Sequence, residues 1–112
     1  MTRKVPGCGD FVHLDFDPQA GHEQAGERFG LVLSPSEFCK VTGFVFVAPI
    51  TGQVKGYPFE VSIPAGARCY GVVLVDQTKS LDWVARKVQV VGKAPDELVE
   101  EALAKFSAIF GL

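Results

Sequence analysis

A chain of 112 residues, 47% hydrophobic with 12 glycines and 7 prolines, has the size and composition of one packed, turn-rich domain. No apolar run reaches the ~18 residues of a membrane span, the start Met1-Thr2-Arg3-Lys4-Val5-Pro6 lacks a signal-peptide apolar region, and the cysteines at 8, 39 and 69 have neither disulfide-framework nor zinc-site spacing; a cytoplasmic domain with free, largely buried thiols is expected. The formal net charge of -2, read as an average, argues against nucleic acid, and nothing in the composition calls for a metal or cofactor.

Residues 9–16 alternate Phe11, His13 and Asp15 with Val12, Leu14 and Phe16, the period of a half-buried strand, and Asp17-Pro18 ends it. The segment Gly21-His22-Glu23-Gln24-Ala25-Gly26-Glu27-Arg28 offers nothing to a core and reads as a solvent-facing loop, where a small scaffold presents binding groups. An apolar strand resumes from Phe29 to Leu33. Ser34-Pro35-Ser36-Glu37 has the spacing of a capping box with proline at the first helical position, predicting a short helical turn through Phe38 and Cys39. Phe44-Val45-Phe46-Val47-Ala48-Pro49 is a buried-type strand, residues 50–58 form a second polar loop, and Phe59-Glu60-Val61-Ser62-Ile63 alternates cleanly. Gly71-Val72-Val73-Leu74-Val75 is apolar throughout, as a central strand would be; the polar cluster Asp76-Gln77-Thr78-Lys79-Ser80 follows, and a last strand is expected over 84–91. Lys93-Ala94-Pro95-Asp96-Glu97 opens the one convincing helix, with Pro95 in its first turn, acids at the positive end of the helix dipole and an apolar stripe of Leu98, Ala102, Phe106 and Ile109.

Short strands at close spacing, no repeated α/β units and one terminal helix predict a mainly β fold, a small and strongly bent antiparallel barrel closed by the C-terminal helix. That helix carries the charge imbalance. Its segment holds Asp96, Glu97, Glu100 and Glu101 against Lys105, which leaves ten basic and nine acidic residues in positions 1–93 out of the chain's 11 and 13. The body is thus near neutral, with room for a local basic patch. A domain of this length buries somewhat over ~60% of its unfolded surface, so a dimer interface would add useful stability.

Three polar clusters carry the candidate chemistry. Arg28 ends the first loop, and its planar, permanently charged, forked guanidinium suits a phosphate. Thr51, Gln53 and Lys55 lie on the second loop, and Asp76, Gln77 and Lys79 in the third cluster. Taken singly, each has a plain explanation: a surface ion pair, a turn hydroxyl or a solvated charge, contributing ~0 to 1 kcal/mol to stability.

Their order and wording carry more. Asp15-Phe16-Asp17-Pro18, Glu23-Gln24-Ala25-Gly26 with Arg28, and Val32-Leu33-Ser34-Pro35 resemble the N-terminal half of the MazF/PemK family. Pro49-Ile50-Thr51 with Lys55-Gly56-Tyr57-Pro58-Phe59-Glu60-Val61 resembles the family's second block, and Asp76-Gln77-Thr78-Lys79-Ser80 with Trp83 its third. Across nearly the whole chain the resemblance implies an SH3-like, plasmid-maintenance-toxin barrel. It implies a homodimeric toxin of a type II toxin-antitoxin module that cleaves single-stranded mRNA sequence-specifically, without ribosomes or metal, by 2'-hydroxyl attack on the adjacent phosphorus. RNA would lie in a groove at the dimer interface, and a cognate MazE-like antitoxin would lay an acidic tail in the same groove.

Carried over by position, Arg28 and Thr51 match the family's catalytic pair: Arg28 to stabilise charge, since a guanidinium is a poor proton shuttle, and Thr51 to hydrogen-bond the scissile phosphate. Glu23 is the candidate proton acceptor, or alternatively an ion pair that orients Arg28. Lys55 and Lys79 are expected on the RNA backbone, Asp76 and Gln77 near base edges, Gln53 among the RNA-binding residues, and Tyr57 on a base face. Trp83 is read either as a stacking platform or as core, His13 as a packed strand residue, and His22 as a loop residue able to touch RNA. Phe29 stands where a proline is common in the family, Gly52 where a second hydroxyl is common, and Glu27 lowers the positive potential beside Arg28. The C-terminal Phe110-Gly111-Leu112 faintly resembles the ending of CcdB-like gyrase poisons, which leaves a gyrase-poisoning toxin on the same fold as the alternative.

Overall fold

In this computed structural model, which describes residues 4–17 and 20–112, the alternating apolar runs form β1 (Asp10–Asp15), β2 (Glu27–Val32), β3 (Phe44–Thr51), β4 (Glu60–Ser62), β5 (Val72–Leu74), β6 (Lys79–Asp82) and β7 (Gln89–Lys93). The helices are α1 (Ser36–Thr42) and α2 (Asp96–Ile109), and Val75–Gln77 form one 3-10 turn. Pairing is antiparallel in the order β4-β5-β3-β2-β1-β7, with β6 also on β3. The eight-residue β3 organises the sheet. One edge pairs β2 through Val47 and Val32; the other pairs β6 as far as Val47 and Lys79, then passes to β5 at Ile50 and Thr51. Among the described residues, no helix is long and apolar enough to cross a membrane.

The sheet bends between two hydrophobic clusters, because its inner strands are apolar on both faces. On one side Phe11, Leu31, Ala48, Ile50 and Val73 pack against Leu98 and Ala102 of α2. On the other, Val12, Leu14, Phe16, Val32, Val45 and Val47 pack around Cys39 of α1 and Trp83. This two-sided burial explains why Phe11 is buried although it shares a strand face with half-buried His13 and exposed Asp15. The pairing of β1 with β7 shifts register between Phe11 and Val12, the mark of a bulge, where the strand passes from one core to the other.

Several expectations are corrected by local hydrogen bonding. The strand foreseen over 84–91 is two elements. Asp82 Oδ1 accepts the N–H groups of Val84 and Ala85, and Val88 N–H returns to the Trp83 carbonyl, so residues 83–88 turn sharply between β6 and β7. The Lys79-Ser80 end of the polar cluster is strand β6, its polar side chains on an edge. The capping box does not form: Pro35 caps α1 without a side-chain bond, and Ser34 Oγ accepts Phe46 N–H at 3.0 Å, tying the loop to β3. Arg28 belongs to β2 opposite Leu14 and is not a loop residue. The turn expected at Asp17-Pro18 falls partly on Pro18, outside the described residues; Asp17 Oδ1 accepts Gly26 N–H and so closes the base of the loop. Cys8, Cys39 and Cys69 are free thiols, the first half-buried and the other two buried.

Candidate nucleic-acid interface

Strand pairing brings Arg28 beside Thr51 across 23 positions of sequence. Arg28 Nε donates to the Ala25 carbonyl at 3.0 Å and Nη1 to the Ile50 carbonyl at 3.3 Å. The guanidinium is thereby fixed against the end of β3, immediately before Thr51. These bonds use two of its five donors. Thr51 is 8% exposed, and its Oγ1 accepts Gln53 N–H at 3.2 Å, an arrangement that leaves the hydroxyl's own proton available to an outside acceptor. Both side chains line a hollow of about 380 Å³ together with His13, Phe29, Gly52, Arg68 and Tyr70.

A second hollow of about 270 Å³ is also bordered by Thr51 and lined by His22, Gln24, Gln53, Lys55, Tyr57, Asp76 and Gln77 among others. Buried Glu60 shapes it: the carboxylate accepts the backbone N–H groups of Lys55 and Gly56, at 3.0 and 2.8 Å, and so holds the loop that carries Lys55. Tyr57 donates its hydroxyl to Asp76 Oδ1 at 2.8 Å. Burial first, then that carboxylate and the nearby charge of Glu60, push the Tyr57 phenol up to about 12. Gln77 Oε1 accepts Gln24 N–H at 2.8 Å, so its carbonyl end holds the first loop and its amide donors point elsewhere.

Glu23 and Lys79 line neither hollow. They pair with each other at 3.2 Å, and Glu23 Oε1 also accepts Ala20 N–H at 2.9 Å. That backbone bond, followed by Lys79, holds the carboxyl below the usual glutamate range, which makes it a weaker base. The ion pair expected between Glu23 and Arg28 is thus replaced by one to Lys79, because Arg28 is turned inward onto backbone carbonyls. Trp83 is core: it is buried, and its Nε1 donates to the Cys39 carbonyl at 2.8 Å. His13 is packed as expected, edge-on to Phe29 at 5.1 Å and 3.6 Å from Glu27. His22 lies on the second hollow. Sequence reasoning missed Arg68 and Tyr70; the only signal was a polar and aromatic pair placed just before the apolar run of β5. Among the described residues no group of three or more His, Cys, Asp or Glu side chains is arranged to hold a metal ion.

The family model for PemK-like, MazF-like toxins of type II toxin-antitoxin systems matches residues 8–110. The endoribonuclease toxin MazF of Escherichia coli strain K12 is 42% identical over 111 residues, covering 99% of each chain. Crystal MazF from Deinococcus radiodurans superposes with a TM-score of 0.92 at 45% identity, covering 97% of this chain and 99% of that one. The MazE-MazF crystal structure from the same organism gives 0.86 at 45% identity, covering 97% and 98%. A match of this extent, on a mainly antiparallel β fold with one C-terminal helix, establishes that the chain belongs to the PemK-like, MazF-like toxin family of type II toxin-antitoxin systems.

Proposed function

We propose that this protein is a toxin acting as a sequence-specific endoribonuclease on single-stranded mRNA in the cytoplasm, with Arg28 and Thr51 at the scissile phosphate and without metal or ribosome. The observation that supports this most directly is the hollow shared by those two residues, where a fixed cation and an available hydroxyl proton converge. The ribose 2'-hydroxyl gives up its proton and bonds to the adjacent phosphorus. The bond from phosphorus to the 5'-oxygen breaks, and that oxygen takes a proton, leaving a 2',3'-cyclic phosphate and a 5'-hydroxyl. Arg28 and Thr51 donate to the phosphoryl oxygens as charge grows on them. Lys55, Gln53, Tyr57, Asp76 and Gln77 continue the RNA path along the second hollow. The lowered basicity of Glu23 and its bond to Lys79 favour tethering of the first loop over proton acceptance.

The same groove is proposed to receive the acidic tail of a MazE-like antitoxin, in competition with RNA. The homodimer is proposed to form on the apolar face of α1 and α2, where Leu33, Pro35, Phe38, Phe46, Phe106 and Phe110 line a shallow groove. The test is cleavage of a long unstructured RNA in EDTA. Arg28→Ala and Thr51→Ala are each expected to slow cutting by about 100- to 1,000-fold while circular dichroism shows a folded domain. Intact RNA with the native protein, together with stalled gyrase complexes on DNA, would instead support a gyrase poison.

A further inference from the structure

We propose that Tyr70 is an RNA-contact residue that stacks on the base of the nucleotide flanking the scissile phosphate, an inference that rests on the endoribonuclease reading above. Tyr70 is 82% exposed, yet it is not a loosely placed surface residue. Its neighbour Gly71 has φ +103, and a Cβ there would stand 2.2 Å from the Thr51 carbonyl oxygen. Only glycine permits so close an approach, and it fixes the backbone of Tyr70 against the end of β3. A Cβ on Gly52 would meet Tyr70 Cε2 at 3.3 Å, so the ring lies over the bare backbone of the residue that follows Thr51. Gly71 thus sets the backbone of Tyr70 at the end of β3, Gly52 leaves room for its ring, and Tyr70 lines the hollow of Arg28 and Thr51.

Single-stranded RNA presents a base beside every phosphate, and each base has a π face that an aromatic ring can cover. A phosphate held by Arg28 and Thr51 therefore brings a base to this hollow, where the ring of Tyr70 is more exposed than that of Phe29. Phe29, 44% exposed on the same hollow with its ring braced by His13, adds a second apolar wall. The small residue at 52 acquires a purpose on this view: a side chain there would press on the tyrosine ring.

The experiment uses a short RNA spanning a mapped cleavage site, with 2'-deoxyribose at the attacking position to prevent cutting, and fluorescence anisotropy at fixed salt. Tyr70→Ala and Tyr70→Leu are expected to weaken binding by about 5- to 100-fold, while Tyr70→Phe and Tyr70→Trp stay within about twofold of the native protein. On cleavable RNA the loss should fall on KM, with kcat largely kept. On an RNA lacking the flanking base, native protein and Tyr70→Ala should bind alike. Equal binding of Tyr70→Ala to the intact RNA, or a penalty that persists unchanged on the abasic RNA, overturns the inference, as does a change in oligomeric state or melting that accounts for the loss. If the native protein cuts no RNA, the endoribonuclease reading falls with it; if it cuts and Tyr70→Ala is indifferent, the stacking role alone is lost.

Discussion

Individual side chains in this site are held by backbone groups more than by one another. Arg28 leans on two carbonyls, Thr51 accepts an N–H, and Glu60 holds two N–H groups of the Lys55 loop. Glu60→Gln should therefore loosen that loop, costing about 1–3 kcal/mol, read as a lower urea midpoint and a raised KM for RNA. Tyr57 offers a pH test. Because its phenol titrates at about 12 against the ordinary 10.0, the neutral phenol's contribution to stability is full below 10.0 and is lost as pH rises toward 12. Ultraviolet titration should show this late ionisation, and Tyr57→Phe should remove it. Both tyrosines are plain in the sequence, but their neighbours are not. Asp76 lies 19 positions from Tyr57, and the site of Tyr70 depends on which strand end its backbone meets.

Element geometry explains why the proposed catalytic pair, Arg28 and Thr51, meets at all. Antiparallel pairing of β2 with β3 sets Gly30 opposite Pro49, which brings the start of β2 and Arg28 to the level of Thr51. Pairing of β3 with β5 then brings Gly71 onto the Thr51 carbonyl. Gly71→Ala would force a side chain into that carbonyl at a backbone angle glycine alone adopts readily, and should destabilise by about 2 kcal/mol or more, measured as a shifted urea midpoint at unchanged slope. The loop between β1 and β2 is tethered by Glu23 to Lys79 on β6. With its carboxyl held below the usual range, this contact is present at neutral pH and through mild acid, and is lost only as pH falls through the depressed value. Amide exchange at residues 20–26 should accelerate there, and in Glu23→Gln at neutral pH. Periodicity found most strands but misread 84–91, since the turn at 83–88 depends on the Asp82 carboxylate, and capping-box spacing at Ser34 failed because Phe46 N–H took the serine hydroxyl.

At the scale of the molecule, α1 and α2 leave apolar surface that two cores do not cover. Phe38, Phe44, Phe110 and Leu112 are exposed, and Val41 is 84% exposed. A second copy seated on the groove of Phe38, Phe46, Phe106 and Phe110 would bury it. Phe106→Asp is expected to yield monomers by light scattering, with a reduced melting temperature and impaired cleavage; dimers that persist would move the interface elsewhere.

Composition and pattern alone determined that the chain is mainly β with one C-terminal helix, because apolar period and turn residues act locally. Three ordered blocks likewise carried the family resemblance, and with it the proposal of Arg28 and Thr51, since each block is contiguous. Only the tertiary structure decided that Arg28 stands in a strand tied to Ile50, that Glu23 serves Lys79, that Trp83 is core, and that Tyr70 lies over Gly52. Each of these depends on strand register and on which distant backbone group reaches a side chain first, and such contacts leave no trace in the spacing of residues along one chain.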